Sequence, residues 1–264
     1  MSRLAETFAA AKADHRALLV AYLPAGFPSV AEGIGLLEVM VENGVDVVEV
    51  GLPYSDPLMD GPVIQAAVHQ ALTAGARIAD VMDTVTATAA AGAPPLVMSY
   101  WNPIERFGVD RFADELAAAG GVGVITPDLT PEEADDWLVA TDRALLDRVF
   151  LVAPSSTTAR IRSVSAVCTG FVYAASTMGV TGVRAGVSSA AGELVPRVRA
   201  VTSTPVCVGL GVSTGAQAAE VAQYADGVIV GSAFIKAIQD ATTPAAARAA
   251  VAALSWELAV GVRR

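Results

Sequence analysis

The stretch Val47-Val48-Glu49-Val50-Gly51-Leu52-Pro53-Tyr54-Ser55-Asp56-Pro57-Leu58-Met59-Asp60-Gly61-Pro62 begins as a strand and ends at the door of a helix. Its valines are apolar at successive positions rather than alternate ones, which is how a strand of a parallel sheet reads when both faces are covered. Prolines and glycines then break the chain into a loop, and Gly61-Pro62 has the form of a helix start. Similar short runs recur at residues 18–23, 46–50, 96–100, 122–126, 149–153, 171–175, 206–210 and 228–230, with alanine-rich, helix-like segments between them. Ser29-Val30-Ala31-Glu32 and Thr130-Pro131-Glu132-Glu133 both fit a capping box, and Thr243-Pro244 opens the last helix in a similar way. Eight strand-then-helix units without a linker-like segment predict one (β/α)8 barrel domain, an α/β fold spanning residues 1–264. A doubly wound open sheet is the competing architecture, and the count of eight decides against it. The connection from Gly51 to Pro95 is longer than one helix needs, so extra structure is expected there.

Composition narrows the functions. Of the 264 residues, 53% are hydrophobic, and the net charge is −10 with seventeen basic residues spread along the chain. That balance argues against an electrostatic grip on nucleic acid or an anionic membrane. The uncharged stretches 84–104 and 200–219 are broken by proline or glycine and rich in threonine and serine, so neither reads as a membrane span. The N-terminal residues lack a basic segment followed by an apolar one, and a cytoplasmic location is expected. Cys168 and Cys207 lie thirty-nine residues apart with no metal-type spacing, and only two histidines occur, His15 and His69. No metal site is expected, and the chemistry falls to carboxylates, hydroxyls and backbone.

Barrel enzymes keep their sites at the C-terminal ends of the strands. Glu49 stands near such an end and shares a face with Val47. If that face points inward, desolvation raises its pKa toward the range of a proton shuttle; the alternative is a buried glutamate paired with a lysine or arginine. Asp60 reads most simply as an N-cap before Gly61-Pro62, unless the loop folds back so that its carboxyl faces Glu49. Asp56 reads as a turn residue on the loop surface, and Asp128, at a strand end, as a structural or coupling residue rather than a catalytic one. After the seventh strand comes Gly209-Leu210-Gly211-Val212-Ser213, and after the eighth Gly231-Ser232-Ala233. At these ordinal positions backbone N–H groups and a helix dipole predict a phosphate site. Tyr22 and Tyr173 stand at barrel mouths, where aromatics usually pack and less often touch ligand. The segment 176–186, with three glycines, is a candidate lid.

Taken together, Glu49-Val50-Gly51-Leu52-Pro53-Tyr54-Ser55-Asp56-Pro57, Asp60-Gly61-Pro62, Ser99-Tyr100-Trp101-Asn102-Pro103, Pro127-Asp128-Leu129, Gly179-Val180-Thr181-Gly182, Gly209-Leu210-Gly211 and Val230-Gly231-Ser232 resemble, in order, the signature of the tryptophan synthase alpha subunit family. The resemblance implies a lyase that cleaves indole-3-glycerol phosphate into indole and glyceraldehyde 3-phosphate. It implies an alpha2beta2 complex with a beta subunit that carries pyridoxal phosphate, and no cofactor in this chain. By position, Glu49 would be the acid–base residue and Asp60 the residue that holds the indole N–H. Tyr173, Thr181, Gly182, Gly211, Gly231 and Ser232 match positions that line the substrate or hold its phosphate, and Tyr22 joins them as a candidate contact. Two departures stand out: many relatives have aspartate where this chain has Phe27, and some carry arginine where it has Thr177-Met178. A phosphosugar isomerase and a non-catalytic regulatory barrel are the other readings of such a fold.

Overall fold

The computed structural model describes residues 2–175, 189–209 and 211–263. These residues form nine strand segments, with helices between all but the fifth and sixth: β1 Leu18–Pro24, β2 Val47–Gly51, β3 Pro95–Met98, β4 Gly123–Ile125, β5 Asp147–Val149, β6 Leu151–Val152, β7 Val172–Ala175, β8 Val206–Gly209 and β9 Gly227–Val230. Their pairing is parallel throughout, in the order β5-β4-β3-β2-β1-β9-β8-β7-β6. The two ends of that order are consecutive in the chain and separated only by Phe150. The Val149 carbonyl accepts from Thr126 N–H at 3.1 Å while the Phe150 carbonyl accepts from Tyr173 N–H at 3.1 Å. One interrupted strand therefore bridges β4 and β7, and the sheet closes as an eight-stranded (β/α)8 barrel.

Strand alternation divides the apolar residues into two bodies. Outward side chains such as Leu19, Ala21, Val48, Val50, Val97 and Val124 pack under the surrounding helices. Inward ones, including Leu18, Val20, Val47, Leu96, Ile125 and Ile229, fill the barrel. The helix Arg3–Ala13 contributes Leu4, Phe8 and Ala11 to this inner body. Phe8 meets Phe171 edge-on with ring centroids 6.1 Å apart, and Ser2 Oγ donates to Asp147 at 2.6 Å. The N-terminal end of the barrel is thereby plugged, which leaves the C-terminal mouth for chemistry.

Several strand limits differ from expectation by one residue, and the third and fifth strands differ by more. The third strand was expected to reach Tyr100, but pairing ends at Met98 and Tyr100 caps the helix Trp101–Phe107. The fifth begins at Asp147 rather than at Val149. Asp147 and Arg148 disguise it in sequence, yet both are buried, with the Arg148 guanidinium held by the carbonyls of Val167 and Leu138, Thr141 Oγ1 and the Asp142 carboxylate. A buried arginine persists only when its donors are met in this way. The long β2–β3 connection holds two helices, Pro62–Thr73 and Ile78–Ala90.

Ser29 and Thr243 cap their helices through side-chain oxygens, as their patterns predict. The box at Thr130 differs. Thr130 Oγ1 reaches the Glu133 carboxylate at 3.0 Å, but Pro131–Glu133 forms only a 3-10 turn, and the α-helix starts at Asp135. Phe27 is 1% exposed and belongs to the outer apolar body. Among the described residues no helix is long and apolar enough to cross a membrane, and no group of three or more His, Cys, Asp or Glu could hold a metal ion.

Candidate active site

The mouth of the barrel opens on one cavity lined by Tyr22, Glu49, Met59, Asp60, Ile64, Met98, Ile125, Pro127, Leu151, Tyr173, Ala175, Gly211, Ile229, Gly231 and Ser232. Every site residue expected from the sequence and described here faces it. Thr181 and Gly182, with the rest of the candidate lid, lie outside the described residues.

Glu49 reaches the cavity because Val47 and Glu49 share the inner face of β2 while Val48 and Val50 turn outward. Its register partners are Tyr22 on β1 and Leu96 on β3. The residue is 2% exposed, and its Oε1 has no hydrogen-bond partner among the described residues. An ionised carboxylate there would forfeit hydration without compensation, so burial raises its pKa from 4.5 to about 8. Among the described residues no lysine or arginine lines the cavity, so none of them pairs with Glu49 as a structural ion pair would require. Glu49 is a carboxylic acid at neutral pH, poised to give up a proton and take one back.

Asp60 corrects the simplest expectation. The N-cap of the helix Pro62–Thr73 is Gly61, with no side-chain capping bond, and the Asp60 carboxyl instead turns into the cavity, 5% exposed. Gln65 Nε2 donates to the Asp60 carbonyl at 2.7 Å and fixes the backbone on the helix side. Tyr100 Oη donates to Asp60 Oδ1 at 3.1 Å. Burial raises the Asp60 pKa and the Tyr100 bond opposes that rise. Asp56 is exposed and accepts from Ser55 Oγ, as a surface turn residue does. Asp128 is structural: its carboxylate takes the Trp101 N–H at 2.9 Å and 3.1 Å, at the start of the helix Trp101–Phe107.

Two tyrosines cross the barrel above glycines that leave them room. A Cβ on Gly209 would lie 2.0 Å from Tyr173 Oη, and one on Gly51 2.5 Å from Tyr22 Oη. Burial pushes both phenols well up, so they stay protonated, offering O–H groups in an apolar cavity. Beside Tyr22, at the end of the neighbouring strand β9, Gly231 caps the helix Ser232–Gln239, whose first N–H groups have no intrahelical acceptor. Gly211 has a φ of +82°, a left-handed conformation that costs glycine nothing. Ser232, 7% exposed, adds a hydroxyl at the helix start. Amide hydrogens, helix dipole and hydroxyl converge there as they do in anion sites.

Apolar lining residues were not foreseen, although Met98, Ile125 and Leu151 follow from alternation with the inward Leu96, Gly123 and Val149. Tyr100 stands in the stretch Ser99-Tyr100-Trp101-Asn102-Pro103, whose sequence assigns it no role. The pairing with Asp60 spans forty positions of sequence, and nothing local announces it.

A carboxylic acid kept protonated inside a barrel mouth that also receives the N-terminus of the helix Ser232–Gln239 marks an acid–base enzyme of the (β/α)8-barrel class. Comparison with known proteins narrows this: the model of the family described as tryptophan synthase alpha chain matches residues 8–261, and the chain belongs to that family. The tryptophan synthase alpha chain of Nocardia farcinica is 59% identical over 262 residues, which make up 99% of this chain and 96% of that one. The chain from Streptomyces coelicolor is 59% identical over 261 residues, 98% of this chain and 96% of its own. A solved structure of Mycobacterium tuberculosis tryptophan synthase superimposes with a TM-score of 0.94 at 53% identity, covering 100% of this chain and 99% of that chain.

Proposed function

We propose that this chain cleaves indole-3-glycerol phosphate into indole and glyceraldehyde 3-phosphate, a retro-aldol lyase reaction, as a single barrel domain. The observation that carries the proposal is the Glu49 carboxyl, buried on the inner face of β2, its Oε1 without a hydrogen-bond partner among the described residues and its pKa raised to about 8. Glu49 donates its proton to C3 of the indole ring, which places positive charge on the ring nitrogen. The resulting carboxylate takes the proton of the hydroxyl on the carbon bonded to C3. The O–H electrons become the aldehyde C=O, the carbon–carbon bond breaks, and its electron pair returns to the ring and neutralises the nitrogen. The acid is regenerated in the same step. The protonated ring is the electron sink, so the bond breaks without help from a metal or a Schiff base.

Asp60 accepts the indole N–H and stabilises the cation that forms there, which is electrostatic stabilisation in a site of low polarity. Gly211, Gly231 and Ser232 hold the phosphate, and Tyr22 and Tyr173 line the path between ring and phosphate. Thr181 and Gly182 are assigned to the substrate on the family resemblance. The exposed loop that carries Leu58, 69% exposed, is the proposed contact with a beta subunit in an alpha2beta2 complex, and that partner would carry pyridoxal phosphate. A cytoplasmic location is proposed with it. The test is indole release from indole-3-glycerol phosphate, with and without a beta subunit, by the parent and by Glu49→Gln. Loss of turnover with substrate binding retained supports the proposal, and undiminished turnover in the variant contradicts it.

A further inference from the structure

We propose that Tyr100 is a positioning residue for the reaction: its hydroxyl holds Asp60 as a correctly aimed carboxylate, from behind the cavity and without touching substrate. The inference rests on the role given to Asp60 above. Tyr100 is 3% exposed, yet it is not among the residues that line the cavity. Its hydroxyl receives the Met59 N–H at 3.0 Å and donates to Asp60 Oδ1 at 3.1 Å. The order of donors matters, because an amide that donates to the phenol oxygen makes its O–H a stronger donor to the carboxylate. Met59 and Asp60 are neighbours, so one phenol fixes both the backbone of the loop and the side chain at its end.

The phenol itself is fixed. Tyr100 is the N-cap of the helix Trp101–Phe107, the Asp128 carboxylate grips the next N–H, and the ring lies against Tyr54 with centroids 5.7 Å apart. A hydroxyl held by these contacts sets the Oδ1 direction and leaves Oδ2 as the oxygen to meet an indole N–H. Among the described residues the titratable groups that feel Asp60 are Tyr22 from β1, Tyr173 from β7 and Tyr100, with Glu49 of β2 on the same cavity. All are acids, and none supplies positive charge. The donor hydrogen bond from Tyr100 therefore favours the ionised form of Asp60 against the rise that burial causes.

Tyr100→Phe removes the donor and keeps the ring. The experiment is kcat/KM for indole release against pH in the parent, Tyr100→Phe and Asp60→Asn, with a carbon-13 titration of the Asp60 carboxyl in the first two. Loss of one hydrogen bond to a carboxylate raises its pKa by about one unit. The acid limb of Tyr100→Phe is expected to move up by about one pH unit, with about a tenfold loss on that limb that closes toward the plateau. A loss of equal size at every pH, the result of a packing defect, would overturn the proposal, as would superimposable acid limbs or an unmoved carboxyl titration. If Asp60→Asn turns over like the parent, the role given to Asp60 fails, and the carbon-13 titration still decides whether Tyr100 holds its ionised form. If Asp60→Asn is impaired while Tyr100→Phe matches the parent, only the present inference fails.

Discussion

Replacing Glu49 by glutamine should make the protein more stable, and increasingly so as pH rises. A glutamate has a pKa of 4.5 in the open chain, whereas burial moves it to about 8 in the folded one. Between those values the unfolded chain has released the proton that the folded chain still holds, so the folded form binds more protons and stability falls with rising pH. The contribution is intact below 4.5 and lost as pH climbs through about 8. At about 1.4 kcal/mol per pH unit the loss is about 3 kcal/mol at pH 7 and about 5 kcal/mol at pH 9. These are upper bounds, because water and side chains that turn toward the ionised carboxylate recover part of the loss. Glutamine carries no proton to lose. Urea denaturation of parent and Glu49→Gln at half-unit pH intervals isolates the effect, since the other titrations cancel in the difference. The stability gap should widen from pH 5 and level off above pH 8.5; a gap that stays flat across that range would show that Glu49 titrates as an ordinary carboxylate and refute the argument.

Asp60→Asn should lower kcat for indole release by about 10²- to 10³-fold, the usual cost of losing one group aimed at developing charge, in a steady-state assay. Gly209→Ala should displace the Tyr173 phenol, whose oxygen a Cβ there would approach to 2.0 Å. Urea melts should report a loss of about 1–3 kcal/mol from overpacking, with a fall in turnover alongside it. Thr243→Ala removes the oxygen that accepts the Ala246 N–H at 3.1 Å, and should cost about 1 kcal/mol in the same melts while leaving kcat unchanged.

The sequence announces the barrel because a parallel strand buried on both faces has no room for polar residues, and eight such runs stand out from alanine-rich helices. It announces Glu49 for the same reason: a carboxylate among valines is a chemical anomaly, and period-two alternation assigns it to the face of Val47. Where two buried polar residues open a strand, at Asp147 and Arg148, the same rule misreads the limit, because their partners lie on distant elements. Asp60 is the instructive case. Capping preference is a local rule, and it loses here to a tertiary bond from Tyr100 that draws the carboxyl into the cavity and leaves Gly61 at the cap. Tyr100 escaped because its partner is a forty-residue detour away. At Thr130 a complete capping pattern yields only one 3-10 turn, since a cap satisfies a helix start but does not supply the packing that makes a helix continue.

The central claim is that the Glu49 carboxyl carries the proton to and from C3 of the ring. The most direct test is nuclear magnetic resonance of indole incubated with glyceraldehyde 3-phosphate and enzyme in deuterium oxide, where each passage back and forth through the reaction replaces the C3 hydrogen. The parent should label indole at C3 well above the enzyme-free rate, and Glu49→Gln should match the enzyme-free rate. Labelling by Glu49→Gln at the parent's rate would assign the proton to another group and contradict the account.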